Sequence, residues 1–308
     1  MRILFWGTPE FAAAPLRALI GEGFEVVGVV TQPDKPQGRT RQVLHSPVKQ
    51  IAVEEKLPLF QPRSAREPEL IDILRVIEPD ISIVAAYGQL LPKEIIDLPP
   101  RGTLNIHASL LPALRGAAPI QAAIRQGFTR TGISIMRVVP ALDAGPVILQ
   151  AETPIHPDDT FGELLGRLSE LGALTLIEAL ALIGLDRAEE KPQDDSRATY
   201  AAKVTREITL VDWHATALEV SRIVRAYDPA PGAHTRLDGH DLKLFGARVT
   251  GDAAGAPGEV LAVEPSLIVA CARDAVAITQ VQPAGKTRMP AAAWARGRGA
   301  KAGDILGA

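Results

Sequence analysis

Along the first two-thirds of the chain, short apolar runs alternate with longer stretches in which apolar residues recur every three or four positions. "RILFW" (2–6), almost wholly apolar and closed by Gly7, predicts a buried strand. "GTPEFAAAPLRALIGEG" then predicts a turn and a helix, with Thr8 as cap, Pro9 at its first position and Gly21 or Gly23 at its end. "FEVVGVVTQ" (24–32), "DISIVAAYG" (80–88), "GTLNIHA" (102–108), "TGISIMRVV" (131–139) and "PVILQAETPI" (146–155) predict further strands. Between them "SPVKQIAVEEK" (46–56), capped by Ser46 ahead of Pro47, "EPELIDILRVIEP" (67–79) and "PIQAAIRQG" (119–127) predict helices. "DTFGELLGRLSELGALTLIEALALIG" (159–184) predicts a long helix, broken or kinked at its glycines. Strands alternating with helices imply a parallel or mixed sheet covered on both faces.

That rhythm stops at residues 186–207, which are charged, lack apolar periodicity and predict a linker. "DWHATALEVSRIVRAY" (212–227) predicts one more helix, and short strand-like segments separated by turns follow it. They predict a small β-barrel or sandwich. The expected division is a first domain over 1–188, a linker over 189–207 and a second domain over 208–308.

A chain of 308 residues suits two domains of that kind. Its 26 glycines and 25 prolines fall mostly at turns and form no low-complexity block. The single cysteine, Cys271, excludes an internal disulfide and any cysteine-based zinc cluster. It sits in an apolar strand-like run, which predicts a buried structural thiol. No apolar run reaches the roughly 18 residues needed to span a membrane. The apolar start is too short for a signal peptide, so a cytoplasmic protein is expected. Residues 1–200 carry a net charge of −5 and residues 201–308 of +2. That asymmetry is too small to separate a half that meets a polyanion from ordinary surface scatter.

Candidate chemistry concentrates in "TLNIHA". A period of two places Thr103, Asn105 and His107 on one face of a strand whose faces should both be apolar. Asn105 and His107 would lie ~6.6 Å apart along the strand, able to face one small reacting group at its carboxyl end, where open α/β sheets bind ligands. A polar pair satisfied within a turn network accounts for the same residues equally well. Asp143, in the loop after "ISIMRVV", offers a carboxylate to orient His107, or else a local turn of its own. Elsewhere "GTPEFA" lacks the glycines of a dinucleotide fingerprint and the lysine of a phosphate loop, and there is no G-x-S-x-G. The remaining histidines (45, 156, 214, 234 and 240) show no metal-ligand spacing beyond His234 and His240, which flank a turn and are expected at the surface.

"LNIHASLLPALRGAAPIQAAI" followed by "LDAGPVI" resembles the folate-dependent formyltransferases. The likeness extends to "ILFWGTPEFA", "QPDKPQGR", "HSPVKQIA", "VAAYGQLLP", "YAAKVTRE", "VDW", "RAYDPAPGAHT" and "QVQPAGKTRMPA", and it points to the branch that formylates methionyl initiator tRNA. The resemblance implies a Rossmann-like N-terminal formyltransferase domain that binds 10-formyltetrahydrofolate, and a C-terminal OB-like β-barrel that helps hold the tRNA. It implies Asn105, His107 and Asp143 as catalytic residues, with no metal. The folate pocket would be formed by Ala86, Tyr87, Gly88, Gln89, Leu90 and Leu91, by Ser109, Leu110, Leu111 and Pro112, and by Val139 and Ala141. Lys35, Arg39 and Arg41, in a basic loop over 33–45, would approach the tRNA. A monomer is expected, and the lack of a long apolar run leads to the expectation of no membrane association. His107 would take a proton, Asn105 and a protonated His107 would stabilise an oxyanion, and Asp143 would orient His107. Ala144, Leu114 and His234 depart from the family's usual Thr, aromatic and Trp. Glycinamide ribonucleotide formyltransferases, amino-sugar formyltransferases and formyltetrahydrofolate hydrolases share the same N-x-H…D core. The first need only one domain, and the motifs past residue 200 fit the second less well.

Overall fold

Seven strands of mainly apolar sequence form the sheet of the first half. They are β1 (Arg2–Gly7), β2 (Glu25–Val30), β3 (Leu59–Phe60), β4 (Ile81–Ala85), β5 (Thr103–His107), β6 (Arg130–Arg137) and β7 (Val147–Pro154). Their order is β7-β6-β5-β4-β1-β2-β3. The computed structural model describes residues 1–34, 36–37, 42–251, 254–297 and 299–307, without the side chains of 36, 37, 42 and 43. β1 pairs in parallel with both β2 and β4, β2 with β3, and β4 with β5, whereas β6 runs antiparallel to β5. Ile3, Leu4, Phe5 and Trp6 are all buried, as a central strand covered on both faces requires.

Parallel neighbours need crossovers, which α1 (Ala13–Gly21), α2 (Pro47–Glu54), α3 (Pro68–Ile77) and the short α4 (Lys93–Ile96) help to build. The chain proceeds from β1 to β2 and β3 on one side, then returns to β4 and β5 on the other. That reversal opens a crevice at the carboxyl ends of β1 and β4, the usual ligand position in such sheets. Ser46 caps α2 as the sequence predicts, its hydroxyl accepting from the Lys49 N–H at 3.2 Å. Thr8 does not cap α1. A 3₁₀ turn, Glu10–Ala12, intervenes, and the Thr8 hydroxyl instead donates to the Tyr87 carbonyl and accepts from the Gln32 N–H. β3 was not anticipated, because two residues carry no readable period.

The described residues form two compact units, one of residues 1–116, 130–153 and 165–201 and a second of 117–129, 154–164 and 202–308. α6 (Phe161–Gly184) runs unbroken through the glycines expected to interrupt it, and α5 (Pro119–Gln126) precedes β6. Two of those glycines serve close packing. A Cβ on Gly172 would lie 3.1 Å from the Ile106 side chain, and one on Gly162 would lie 2.7 Å from Pro229.

In the second unit α5 packs against α7 (Ala217–Ala226), which opens on a complete capping box formed by Thr216 and Glu219. Five strands follow: β8 (Ala233–Leu237), β9 (His240–Thr250), β10 (Val260–Ala262), β11 (Leu267–Ala270) and β12 (Ala275–Pro283). They form an antiparallel, barrel-like sheet in the order β8-β9-β12-β11-β10, with Met289–Pro290 added to β12 ahead of α8 (Ala291–Arg296). Cys271 is buried, and burial pushes its thiol up to about 11, as suits a structural residue. His240 is exposed, while His234 is half-buried and shares a 3.0 Å hydrogen bond with the Thr209 hydroxyl. Among the described residues no helix is long and apolar enough to cross a membrane.

Candidate active site

The three polar residues on one face of β5 meet different fates. Thr103 donates its hydroxyl proton to the Ile96 carbonyl at 2.9 Å and is buried, a satisfied structural residue. His107 is 5% exposed, and its Nε2 lies 3.0 Å from the Leu114 carbonyl oxygen. Asn105, only half-buried, has no protein partner for its amide among the described residues. A satisfied turn network therefore explains Thr103 but not Asn105.

The Leu114 contact fixes the chemistry of the imidazole. A carbonyl only accepts, so Nε2 carries a proton and the lone pair of the neutral ring lies on Nδ1. Nδ1 faces Oδ2 of Asp143 at 3.7 Å, outside hydrogen-bond reach but within ion-pair range. Burial pushes the His107 pKa below its ordinary value, while the Asp143 carboxylate and the Leu114 hydrogen bond pull it back up. The ring is thus neutral at rest, with its basic nitrogen beside a carboxylate that favours the protonated form.

Asp143 reaches this position from a strained turn, at φ 48°. Its Oδ2 accepts at 2.8 Å from the N–H of Gly116, on another segment, so the carboxylate serves more than its own turn. The connection after β5 is tied down as well. The Ser109 hydroxyl donates to the Ala113 carbonyl at 2.6 Å. The Ser134 hydroxyl donates to the Ser109 carbonyl and accepts from the Leu111 N–H. Gln150 donates to both Ser134 and the Leu111 carbonyl. Leu111 itself packs with Met136 and Val147. Leu114, with φ 60°, turns its carbonyl to His107 and gives its N–H to the Thr199 hydroxyl.

Comparison with known proteins accords with this geometry. The profile of the formyl transferase family matches residues 1–180, and that of the formyl transferase C-terminal domain matches residues 203–299. The chain belongs to the formyl transferase family. It is 48% identical over 292 residues to a methionyl-tRNA formyltransferase of Methylococcus capsulatus, covering 94% of this chain and 95% of that one. It is 43% identical over 309 residues to a methionyl-tRNA formyltransferase of Moorella thermoacetica, covering 100% and 99%. Among solved structures it is similar to HypX from Aquifex aeolicus in complex with tetrahydrofolic acid, with a TM-score of 0.67 and 22% identity. That likeness covers 95% of this chain but 46% of the longer HypX chain and concerns the fold alone.

In this formyl transferase, the residues expected around a folate divide by what they expose. β4 pairs with β5 so that Val84 stands opposite Asn105, which brings the segment after β4 beside the candidate site. There Ala86 and Gly88 are exposed with φ of 46° and 90°, Leu90 is 71% exposed, and Gln89 and Leu91 are half-buried. The Tyr87 ring points the other way, into a core with Trp6, Leu70, Leu74 and Ile95. Its hydroxyl has no partner among the described residues, and burial followed by the Glu67 charge pushes it up to about 12. Tyr87 is therefore buried, and its carbonyl accepts from the Thr8 hydroxyl and the Gln32 side-chain amide. Ser109 and Leu111 are likewise buried, Leu110, Pro112 and Val139 half-buried, and Ala141 exposed. Lys35, Arg39 and Arg41 lie outside the described residues.

Several residues around the site were missed from sequence. Gly116 and Arg115 pair with Ala201 and Tyr200 in a two-residue parallel ladder. Ser134 and Gln150 lie on β6 and β7, where polar residues in a strand are the only available sign. Gln193 and Thr199 fall in the stretch read as linker and carry no local signal.

Proposed function

We propose that this protein transfers the formyl group of 10-formyltetrahydrofolate to the α-amine of methionine esterified to initiator tRNA. One observation carries the reading: the neutral His107 imidazole beside Asp143, on the same strand face as the Asn105 amide, which has no partner among the described residues, in a chain about 45% identical along its length to methionyl-tRNA formyltransferases. Asn105 donates to the formyl oxygen as negative charge gathers there, in the manner of an oxyanion hole. Because the Nε2 proton of His107 is engaged by Leu114, the oxyanion falls to Asn105 and not to His107. His107 accepts the proton of the attacking amine at Nδ1, where Asp143 stabilises the resulting imidazolium. The same proton is then available to the departing folate nitrogen. The backbone at 86–91, the loop over 109–112, Val139 and Ala141 hold the folate. The basic loop bearing Lys35, Arg39 and Arg41, together with the domain over 208–308, meets the tRNA.

Acceptor identity is tested directly. The protein is incubated with 10-formyltetrahydrofolate and, separately, methionyl initiator tRNA, glycinamide ribonucleotide and an amino-sugar nucleotide, and formyl mass is read on each acceptor. Formylation of the tRNA alone is expected. Formyl mass on the nucleotide sugar without any on the tRNA would reassign the protein.

The pH dependence has a definite sign. The active form is the neutral imidazole, so activity falls as pH drops through its pKa. Asp143 raises that pKa, and Asp143→Asn removes the charge while keeping an acceptor for the Gly116 N–H. The acid limb of kcat in Asp143→Asn is therefore expected to move to lower pH, on a reduced plateau. An acid limb left in place would separate Asp143 from the titration of His107.

A further inference from the structure

The hydrogen bonds that orient the catalytic pair lead to residues 191–201, a strap with no apolar periodicity. Lys191 pairs with Val147 backbone to backbone at 2.9 and 2.8 Å. The Thr199 carbonyl accepts from the Arg115 N–H at 2.8 Å, and its hydroxyl accepts from the Leu114 N–H at 2.9 Å. Tyr200 and Ala201 then run alongside Arg115 and Gly116. These contacts hold the backbone whose Leu114 carbonyl engages His107 and whose Gly116 N–H engages Asp143.

Gln193 sits at the centre of the strap with its amide fully used. Oε1 accepts from Nε and Nη2 of Arg115 at 3.0 and 2.8 Å. Nε2 donates to the carbonyl oxygens of Asp143 at 2.9 Å and Gly145 at 2.7 Å. One side chain thus joins the Arg115–Gly116 ladder to the turn that carries Asp143. The turn needs such a tie, since Asp143 is held at φ 48°, a conformation a non-glycine residue adopts only where its surroundings enforce it. Arg115 is 3% exposed, so its guanidinium is a fixed anchor.

We propose that Gln193 is a positioning residue for formyl transfer, holding the Asp143 carboxylate at its distance from His107 by bridging Arg115 to the backbone of the Asp143 turn. The inference rests on the roles given above to His107 and Asp143. Gln193 itself contacts neither the imidazole nor the carboxylate oxygens. Gln193 bonds the charged Arg115 and the backbone of Asp143 and Gly145, and Arg115 in turn meets Asp195 and Tyr200. Of these, Asp143 is the one whose charge acts on His107. Asp195 also bonds Arg115, at 2.7 Å, but from a side chain 81% exposed, and among the described residues it has no hydrogen bond to the Asp143 turn.

The test compares Gln193→Met, Gln193→Asn and Asp195→Ala with the wild-type protein. Met keeps the length of Gln193 without its amide, and Asn keeps the amide but is too short to span both partners. In each, the His107 titration is followed by NMR without substrates, and kcat and KM are measured across pH. Both Gln193 variants are expected to lose about 10-fold in kcat, with KM for either substrate within about twofold, as a small misplacement of catalytic groups does. The His107 titration and the acid limb of kcat should both move to lower pH, because Asp143 no longer supports the imidazolium. Asp195→Ala should leave both where the wild type has them. An unshifted His107 titration in the Gln193 variants overturns the proposal, and so does an equal shift in Asp195→Ala, which would make the strap merely structural. Loss of the wild-type reaction with methionyl-tRNA would instead strike the functional reading, and the substrate-free titration would still decide for or against Gln193.

Discussion

Replacing His107 by glutamine is expected to lower kcat by about 10²- to 10⁴-fold, the usual contribution of a positioned acid or base. His107 does two separable things in this structure. Its Nε2–H ties β5 to the Leu114 carbonyl, and its Nδ1 presents the basic lone pair to Asp143. A glutamine amide can keep a donor for Leu114, so the buried carbonyl retains a partner and the fold should survive. It offers no nitrogen that takes a proton near neutral pH, so the chemistry should not. KM for both substrates should change little, because the substitution removes an interaction used as the proton moves and not in binding. Single-turnover formylation with a matched thermal melt is the measurement. A His107→Gln protein with wild-type melting and kcat within about threefold of normal would mean that the amine loses its proton to something else.

The sequence and the structure agree where a physical signal is local and repeated. Apolar runs in β1, β2, β4 and β6 and the Ser46–Pro47 helix start were legible because each is set by burial or by capping within a few residues. The face shared by Asn105 and His107 was legible for the same reason, since polar residues on a central strand break its pattern. Thr8 shows the limit: it has the residue type of a cap, yet tertiary partners at Gln32 and Tyr87 take its hydroxyl. The glycines of α6 show another, because Gly172 and Gly162 mark close approach by Ile106 and Pro229, and neither interrupts the helix. Tyr87 was expected at the folate, but an aromatic residue flanked by glycine reads alike whether its ring lines a pocket or fills a core. Gln193 and Thr199 were invisible, because hydrogen bonds made across 48 to 85 residues have no period.

Replacing Asn105 by alanine is expected to cost about 10²- to 10³-fold in kcat, equivalent to ~3–4 kcal/mol for an oxyanion donor. The size follows from what Asn105 lacks. Its amide has no protein partner among the described residues, so truncation leaves no buried group unsatisfied, and stability should change little. Whatever activity is lost then reports on the reaction. Asn105 is also the donor left to the oxyanion once the Nε2 proton of His107 is given to Leu114, which concentrates the effect in one residue. The pH profile separates this role from that of the catalytic pair. Asn105 does not titrate and is not among the groups that shift His107, so Asn105→Ala should lower the plateau of kcat while leaving its acid limb at the wild-type pH. Asn105→Asp should fall at least as far, since a carboxylate repels the charge that the amide attracts. If Asn105→Asp retained near-wild-type kcat, the oxyanion assignment would fail, because no anion at that position can stabilise a second one.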